Sequence, residues 1–204
     1  MLKKIIEKLK EKIFFIRLEI YLRFFWKDEL PKDLKTIIYK TTTYSFMCDN
    51  NLYKVEFSSP EQDSNYSIID GGIEQILDGG IKQILDKNKN KYFINFGLFD
   101  VSKNRIDSTP TNFNKQHFTI LNYLFTIIKK FIKEEEPDIL TYCSDEKRMR
   151  IFRNLYKRLL DGKFSYYTSK QSSGLEVCQY AFLIKNELLE NINISGIKGD
   201  IEIN

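Results

Sequence analysis

PDILTYCSDEKRMRIFRNLYKRL, residues 137–159, changes its period once, and that change decides the class of fold. Behind Pro137, the run Asp138 to Cys143 is short and apolar, which is the mark of a buried strand. After it Met149, Phe152, Leu155, Tyr156 and Leu159 recur three or four residues apart, the period of a helix. Ser144 stands where an N-cap is expected. Asp145 and Glu146 suit the positive end of the helix dipole, and Gly162 suits the position just past the helix end. A strand passing directly into a helix places the chain among α/β proteins.

The same reading extends outward in both directions. Downstream, Lys163 to Ser169 and Glu176 to Lys185 read as two strands joined by a loop over 170–174, and the tail from Asn186 begins a short helix or another strand. Upstream, Phe118, Leu121, Leu124, Phe125, Ile128 and Ile132 trace a helix that ends at Glu136 and Pro137. Lys91 to Asp100 is a strand closed by the turn-prone Ser102, Lys103 and Asn104, with a polar loop from Asp107 to Asn114 after it. Thr41 to Asp49 and Leu52 to Ser58 alternate around Asp49, Asn50 and Asn51, a hairpin signal. At the N-terminus Leu2, Ile5, Ile6, Leu9, Ile13, Ile16 and Ile20 keep helical spacing with Lys3, Lys4, Lys8, Lys10 and Lys12 between them. From Phe14 the apolar surface widens through Phe15, Leu18, Tyr21, Leu22, Phe25 and Trp26, so the second half is expected to meet a core and the first half to project.

With 204 residues the chain has room for one core. We expect an α+β single domain with a central, mostly antiparallel sheet and flanking helices. The division is an amphipathic helix over 1–30, an α/β domain over 31–185 with a loop insertion at 59–90, and a tail over 186–204. A hydrophobic content of 42% excludes intrinsic disorder. The net charge of +4 matters only where cations cluster. Cys48, Cys143 and Cys178 are odd in number and far apart, which fits a reducing cytoplasm better than a disulfide framework. Arg17, Glu19 and Arg23 interrupt the first apolar segment well short of a membrane span.

One stretch, DGGIEQILDGGIKQILD over 70–86, states eight residues twice with Glu74 exchanged for Lys82. Two units of eight are too few and too short for a repeat architecture. The glycine pairs lack the ending of a phosphate loop. We read a tandem duplication carried in a connection, where doubling the loop length costs only about 0.6 kcal/mol.

The order helix, hairpin, strand, helix, strand, helix, strand, strand resembles the GNAT acetyltransferases over residues 40–185. The segment quoted first is similar to the late strand and helix of small GNAT-like proteins from phages and bacteria, in which an arginine and a Leu-Tyr-basic-Arg pattern follow a "PDI" strand. Here the matching positions are Arg148, Arg150, Leu155, Tyr156, Lys157 and Arg158. The resemblance implies a coenzyme A pyrophosphate held by backbone N–H groups of a Q/R-x-x-G-x-G/A loop, and a phenol at Tyr156 placed to protonate the departing thiolate. The corresponding loop, 107–116, has no glycine, and Pro110 removes a donor. The chain therefore reads as a degenerate member of that fold with no cofactor. Tyr156 also has the spacing of a packing residue.

Other chemistry is thinly represented. His117 is the only histidine, so a Ser-His-Asp or Cys-His set would have to use it, with Cys143 at a strand end as a candidate nucleophile. A metal site has too few ligands, and Glu134, Glu135 and Glu136 form a solvated run before Pro137. The richest cluster is basic: Lys147, Arg148, Arg150, Arg153, Lys157 and Arg158 on the third helix, with Arg150, Arg153 and Lys157 along one face. Such a stripe attracts phosphate or an acidic protein, or pairs locally with Asp145, Glu146 and Asp161. Phe164, Tyr166 and Tyr167 offer rings that could stack on RNA bases.

These features lead to the expectation of a non-enzymatic binding protein docking on a host protein or ribonucleoprotein complex. By analogy with the resemblance alone, it is an inhibitor of phage or mobile-element type directed at host defence such as RNA-guided nucleases. Its contact faces are the basic helix and the N-terminal helix with Lys3, Lys4, Lys8 and Lys12. The alternative is an acetyl-CoA-dependent N-acetyltransferase with an atypical cofactor loop. A third reading is a peripheral membrane-surface protein carried by the first helix, which we rank below the others. Oligomeric state is not legible.

Overall fold

The computed structural model describes residues 2–39, 41–59, 90–107, 117–160, 162–173 and 176–189. The described elements are α1 (Leu2–Phe24), β1 (Lys35–Ile38), β2 (Thr42–Cys48), β3 (Asn51–Ser58), β4 (Lys91–Asp100), β5 (Arg105–Asp107), α2 (His117–Glu135), β6 (Ile139–Ser144), α3 (Glu146–Leu159), β7 (Phe164–Ser173), β8 (Glu176–Lys185) and α4 (Asn186–Leu189). The strands form one sheet in the order β1-β2-β3-β4-β6-β8-β7, with β5 paired to β4. Its pairings are antiparallel except that of β4 with β6. The protein is thus a mixed α/β domain built on a mostly antiparallel sheet.

The β2–β3 hairpin turns on Asp49 and Asn50, whose φ angles of 50° and 58° are both positive, as a two-residue type I′ turn requires. Cys48 then pairs with Asn51, and the register places Tyr44 opposite Val55 and Phe46 opposite Tyr53. Because side chains alternate across a strand, Tyr44, Phe46, Val55, Phe57, Ile94, Leu140, Tyr142, Ala181 and Leu183 share one buried face. Helices cover that face. In α2, Phe131 stacks on Phe57 with centroids 3.7 Å apart and meets Tyr92 edge-on at 4.9 Å, while Tyr123 meets Phe46 at 5.5 Å. In α3, Phe152 and Tyr156 lie on Tyr142 at 5.4 and 5.6 Å. The opposite face is buried as well around Ile139, Thr141, Tyr167, Phe182 and Ile184.

Helix α1 packs on the helices. Phe14 and Tyr21 stack on Phe118 at 5.7 and 5.0 Å, and Trp26 meets Phe125 at 6.5 Å. Lys129 holds Asp28 at 2.9 and 3.0 Å, and Arg158 of α3 grips both carboxylate oxygens of Glu19 at 2.5 and 2.6 Å. Leu18, at the centre of the contact, is 2% exposed. The second half of the first helix meets the core as expected, but through a face other than the one its Leu/Ile spacing marks. Ile5, Ile6, Leu9, Ile13, Ile16 and Ile20 stand in solvent, and Phe14, Phe15, Leu18 and Leu22 face inward.

Several expectations need correction. Ser144 is the last residue of β6, paired with Gln179, and the N-cap of α3 is Asp145, whose carboxylate accepts from the Arg148 N–H at 2.9 Å. A short carboxylate one residue further on is the better acceptor once Ser144 is held in the sheet ladder. Strands β7 and β8 run on to Ser173 and from Glu176, so the stretch read as a loop from 170 is mostly strand. Two strands were not anticipated, β1 and β5. β1 is an exposed edge with no alternation, and β5 is a short return after the Asp100 turn, where that carboxylate accepts from the Ser102 N–H and Oγ. The tail begins with the short helix α4, anchored by Leu189 at 6% exposure. The duplicated segment 70–86, the loop 108–116 and the tail beyond 189 lie outside the described residues.

The β4–β5 turn depends on Gly97. A Cβ there would stand 2.3 Å from the Asp107 carbonyl oxygen and 2.8 Å from Ile106 Cγ2. Gly97→Ala is therefore expected to lower stability by about 1–3 kcal/mol through overpacking, read as a fall in urea midpoint at constant slope. An unchanged midpoint would show that β5 yields freely.

Candidate functional site

The sheet comes apart between β4 and β6. Their parallel register runs Lys91–Ile139, Tyr92–Leu140 and Phe93–Thr141 and stops. β4 runs on to Asp100, paired with β3 as far as Leu98 and with β5 from Leu98, while β6 runs on to Ser144 paired with β8. On the β6 side, therefore, β4 has no recorded strand partner from Ile94 to Gly97 among the described residues. The carboxyl ends of parallel strands are where open α/β sheets place ligands. Both long helices that follow begin at this end: α3 starts directly after β6, and α2 runs back so that Phe131 lies at the Tyr92 end of β4. Their N-terminal peptide dipoles favour negative charge there.

On the helical face of β6, β8 and β7 lies a cluster of phenols. Tyr166 donates to Met149 Sδ at 3.5 Å, so the Tyr142–Tyr166 contact at 3.0 Å is donated by Tyr142. Tyr156 is enclosed by Tyr142, Phe125 and Tyr166, with centroids 5.6, 4.9 and 6.3 Å away, and is 4% exposed. Burial, followed by its phenol neighbours, pushes Tyr142 and Tyr156 well above the ordinary 10.0. Burial also pushes Tyr166 up to about 12, against the lowering effects of the Tyr142 hydrogen bond and the Arg153 charge. All three are neutral at physiological pH. Tyr156 sits as a packing residue within this aromatic cluster. Sequence reasoning missed the Tyr142–Tyr166 pair, because β8 comes between β6 and β7 in the sheet and a contact across it leaves no spacing signal.

The basic residues of α3 do not form one free stripe. Arg148 Nε binds Asp145 at 2.6 Å and Arg158 binds Glu19, so both of these are taken up inside the chain. Arg150 and Lys157 are exposed and Arg153 is half-buried near Tyr166, while the Lys147 side chain lies outside the described residues. On α1, Lys8 and Lys12 are exposed and the side chains of Lys3 and Lys4 lie outside the described residues. The rings considered for base stacking point elsewhere: Phe164 and Tyr166 pack on the core and Tyr167 is 9% exposed. Cys48 and Cys143 are half-buried, and burial raises the Cys48 pKa first, with Asp49 and Asp33 adding. The side chains of His117 and Cys178 lie outside the described residues. Glu134, Glu135 and Glu136 are exposed, as a solvated run should be, and Glu134 also accepts from Tyr44 at 3.3 Å and pairs with Lys130. Among the described residues no three His, Cys, Asp or Glu side chains gather as a metal site.

No family model matches the chain, and no curated protein matches it. Among solved structures it is similar to FeeM, an N-acyl amino acid synthase from uncultured soil microbes, with 12% identity, 75% of this chain and 77% of that one covered, and a TM-score of 0.46. It is also similar to AAC(6')-Ib in complex with ribostamycin and coenzyme A, with 8% identity, coverage of 79% and 70%, and a TM-score of 0.38. No substrate, ligand or activity passes from these proteins to this chain.

The phenol cluster sets an alkaline limit. In the unfolded chain tyrosines lose their protons near 10.0, whereas Tyr166 holds its proton to about 12 when folded. The stability contributed is complete below the unfolded value and is lost as pH climbs towards the folded one. Phenolate absorbance and urea midpoints followed from neutral pH upward should show late, cooperative ionisation. Tyr142→Phe should remove the bond donated to Tyr166 and cost about 1 kcal/mol. Ionisation of every tyrosine near the ordinary value, with no loss of structure, would contradict the burial.

Proposed function

We propose that the chain is an acyltransferase that uses an acyl-coenzyme A thioester, with the pantetheine arm laid along β4 where β6 turns away. The observation that supports it is the break in pairing after Phe93 and Thr141. A strand edge opened at the carboxyl ends of parallel strands accepts an extended chain that carries amides, by the same main-chain bonding that adds a peptide strand to a sheet. Pantetheine has two amides in such a chain, and the helix N-termini at the same end suit the phosphates beyond it. In the reaction a neutral amine nitrogen attacks the thioester carbonyl carbon, the carbon–nitrogen bond forms, the carbon–sulfur bond breaks, and the proton lost by the nitrogen balances the one taken up by the departing thiolate. Tyr156, the position that the resemblance gives to the proton donor, is enclosed among Phe125, Tyr142 and Tyr166 and is assigned to packing.

The docking reading has less to support it, because the intrachain pairs of Arg148 and Arg158 reduce the basic face on which it rested. The missing glycines of 107–116 bear on how the pyrophosphate is gripped, not on the strand edge that takes the pantetheine arm.

Titration with acetyl-CoA tests the reading. Calorimetry should show saturable binding, and at about a hundredfold excess over Kd the melting temperature should rise by about 5 °C or more. Tyr156→Phe should leave any turnover within about threefold of the parent, as befits a packing ring. Absence of heat and of thermal shift at saturating acetyl-CoA would overturn the proposal.

A further inference from the structure

Helix α1 has two apolar faces, and the fold uses one. Leu18 is 2% exposed while Leu9 is 58% exposed, and nine residues separate them, about two and a half turns, so the two face opposite ways. Along the outer side run Ile5, Leu9, Ile13, Ile16, Ile20 and Phe24, each between 47% and 69% exposed, with Ile6 beside them. At 1.5 Å per residue this stripe is about 28 Å long. Exposed apolar surface of that extent marks a binding face.

The charge around it selects the occupant. Lys8, Lys12 and Arg23 border the stripe on one side and Lys10 and Arg17 on the other, all exposed. The one described carboxylate of α1, Glu19, is held by Arg158. A second copy of α1 would bring these cationic borders together, which opposes pairing. The steps along the stripe are four, four, three, four and four residues. Their mean exceeds the 3.5-residue period of a left-handed coiled-coil seam. An apolar stripe edged with lysine and arginine is complementary to a bilayer surface carrying anionic headgroups, with the side chains reaching the acyl boundary and the cations at the phosphates. None of the described helices is long and apolar enough to cross a membrane, so α1 would lie in the interfacial plane.

We propose that α1 docks this protein on an anionic lipid surface through the Ile5–Phe24 stripe, leaving Leu18 and the core contacts in place. The proposal is independent of the acyltransfer reading.

Co-sedimentation of the full chain with vesicles of phosphatidylcholine mixed with phosphatidylglycerol, against vesicles of phosphatidylcholine alone, tests it. The expected result is partitioning at least about tenfold stronger on the anionic vesicles, weakening with salt. The double substitution Ile13→Glu with Ile16→Glu should abolish that binding without changing the circular dichroism melt, because both side chains are already in solvent. Lys8→Ala and Lys12→Ala should each weaken it about fivefold. Absence of binding to the anionic vesicles, equal binding to both kinds, or binding retained by the double variant would overturn the proposal. A concentration-dependent dimer that the double substitution abolishes, with no vesicle binding by the parent, would overturn it in favour of a second copy.

Discussion

Helix α2 cannot be hidden by the sheet alone, and the arrangement of the helical layer follows from that constraint. Between Leu121 and Ile128 the helix is buried on its polar as well as its apolar side: Leu121, Leu124, Phe125, Ile127 and Ile128 are at or below 8% exposure, and Asn122 and Thr126 are at 6% and 7%. A helix buried on both sides needs cover from more than one layer. The sheet covers the side that carries Tyr123 and Phe131, and the Phe125 side is left for other helices. Trp26 at the end of α1 and Phe152 and Tyr156 of α3 converge on Phe125, which is 0% exposed. Truncating Phe125 would therefore loosen contacts to two helices at once, and the cost for a buried phenylalanine is about 3–5 kcal/mol.

The same helix produces the opening in the sheet. α2 carries the chain from the far end of β4 back to its start, so β6 enters parallel to β4, with Asp138 N–H bonding the Asn90 carbonyl at 2.8 Å. β6 is also claimed along its whole length by β8, from Ile139 opposite Ile184 to Ser144 opposite Gln179. β4 is claimed by β3 and, at its tip, by β5. Each strand is thus held by a different antiparallel partner, and the parallel contact between them lasts for three register pairs. Parallel pairing is slightly the weaker kind per residue. On the other side of β6, Tyr142 reaches across β8 to Tyr166, and their mutual hydrogen bond satisfies hydroxyls that burial removes from water.

The elements that were legible in the sequence are those with a local signal. The hairpin at Asp49 and Asn50 was readable because both residues tolerate positive φ, and α2 and α3 because their apolar residues keep a helical period over several turns. β1 was not readable: Lys35 to Ile38 is exposed at every position, so burial imposes no alternation on it. The N-cap was misplaced by one residue because strand pairing of Ser144 is a long-range fact, whereas capping preference is a local one. The basic helix was legible as charge but not as partnership, since Glu19 lies far from Arg158 in sequence. The opening between β4 and β6 has no local signal. It arises from which strand each edge is paired with.

Helix α1 shows how a correct period can point to the wrong face. Its isoleucines and leucines give the cleaner helical repeat, yet the rings of Phe14, Tyr21 and Trp26 engage the core, because wide side chains reach across to Phe118 and Phe125 where Leu or Ile would leave a gap. Once these rings and Leu18 have set the rotation of the helix, the position of the isoleucine stripe is fixed on the outside. The helix then extends well before Phe14, into residues whose described apolar side chains, Ile5, Ile6 and Leu9, are exposed. A segment of that length is marginal as an isolated helix, since nucleation is costly and about 12–15 residues are needed even for good helix formers. Propagation from the packed turns supports it from one end. Burial of the stripe would support it along its length, so docking and helix formation in this segment are energetically coupled.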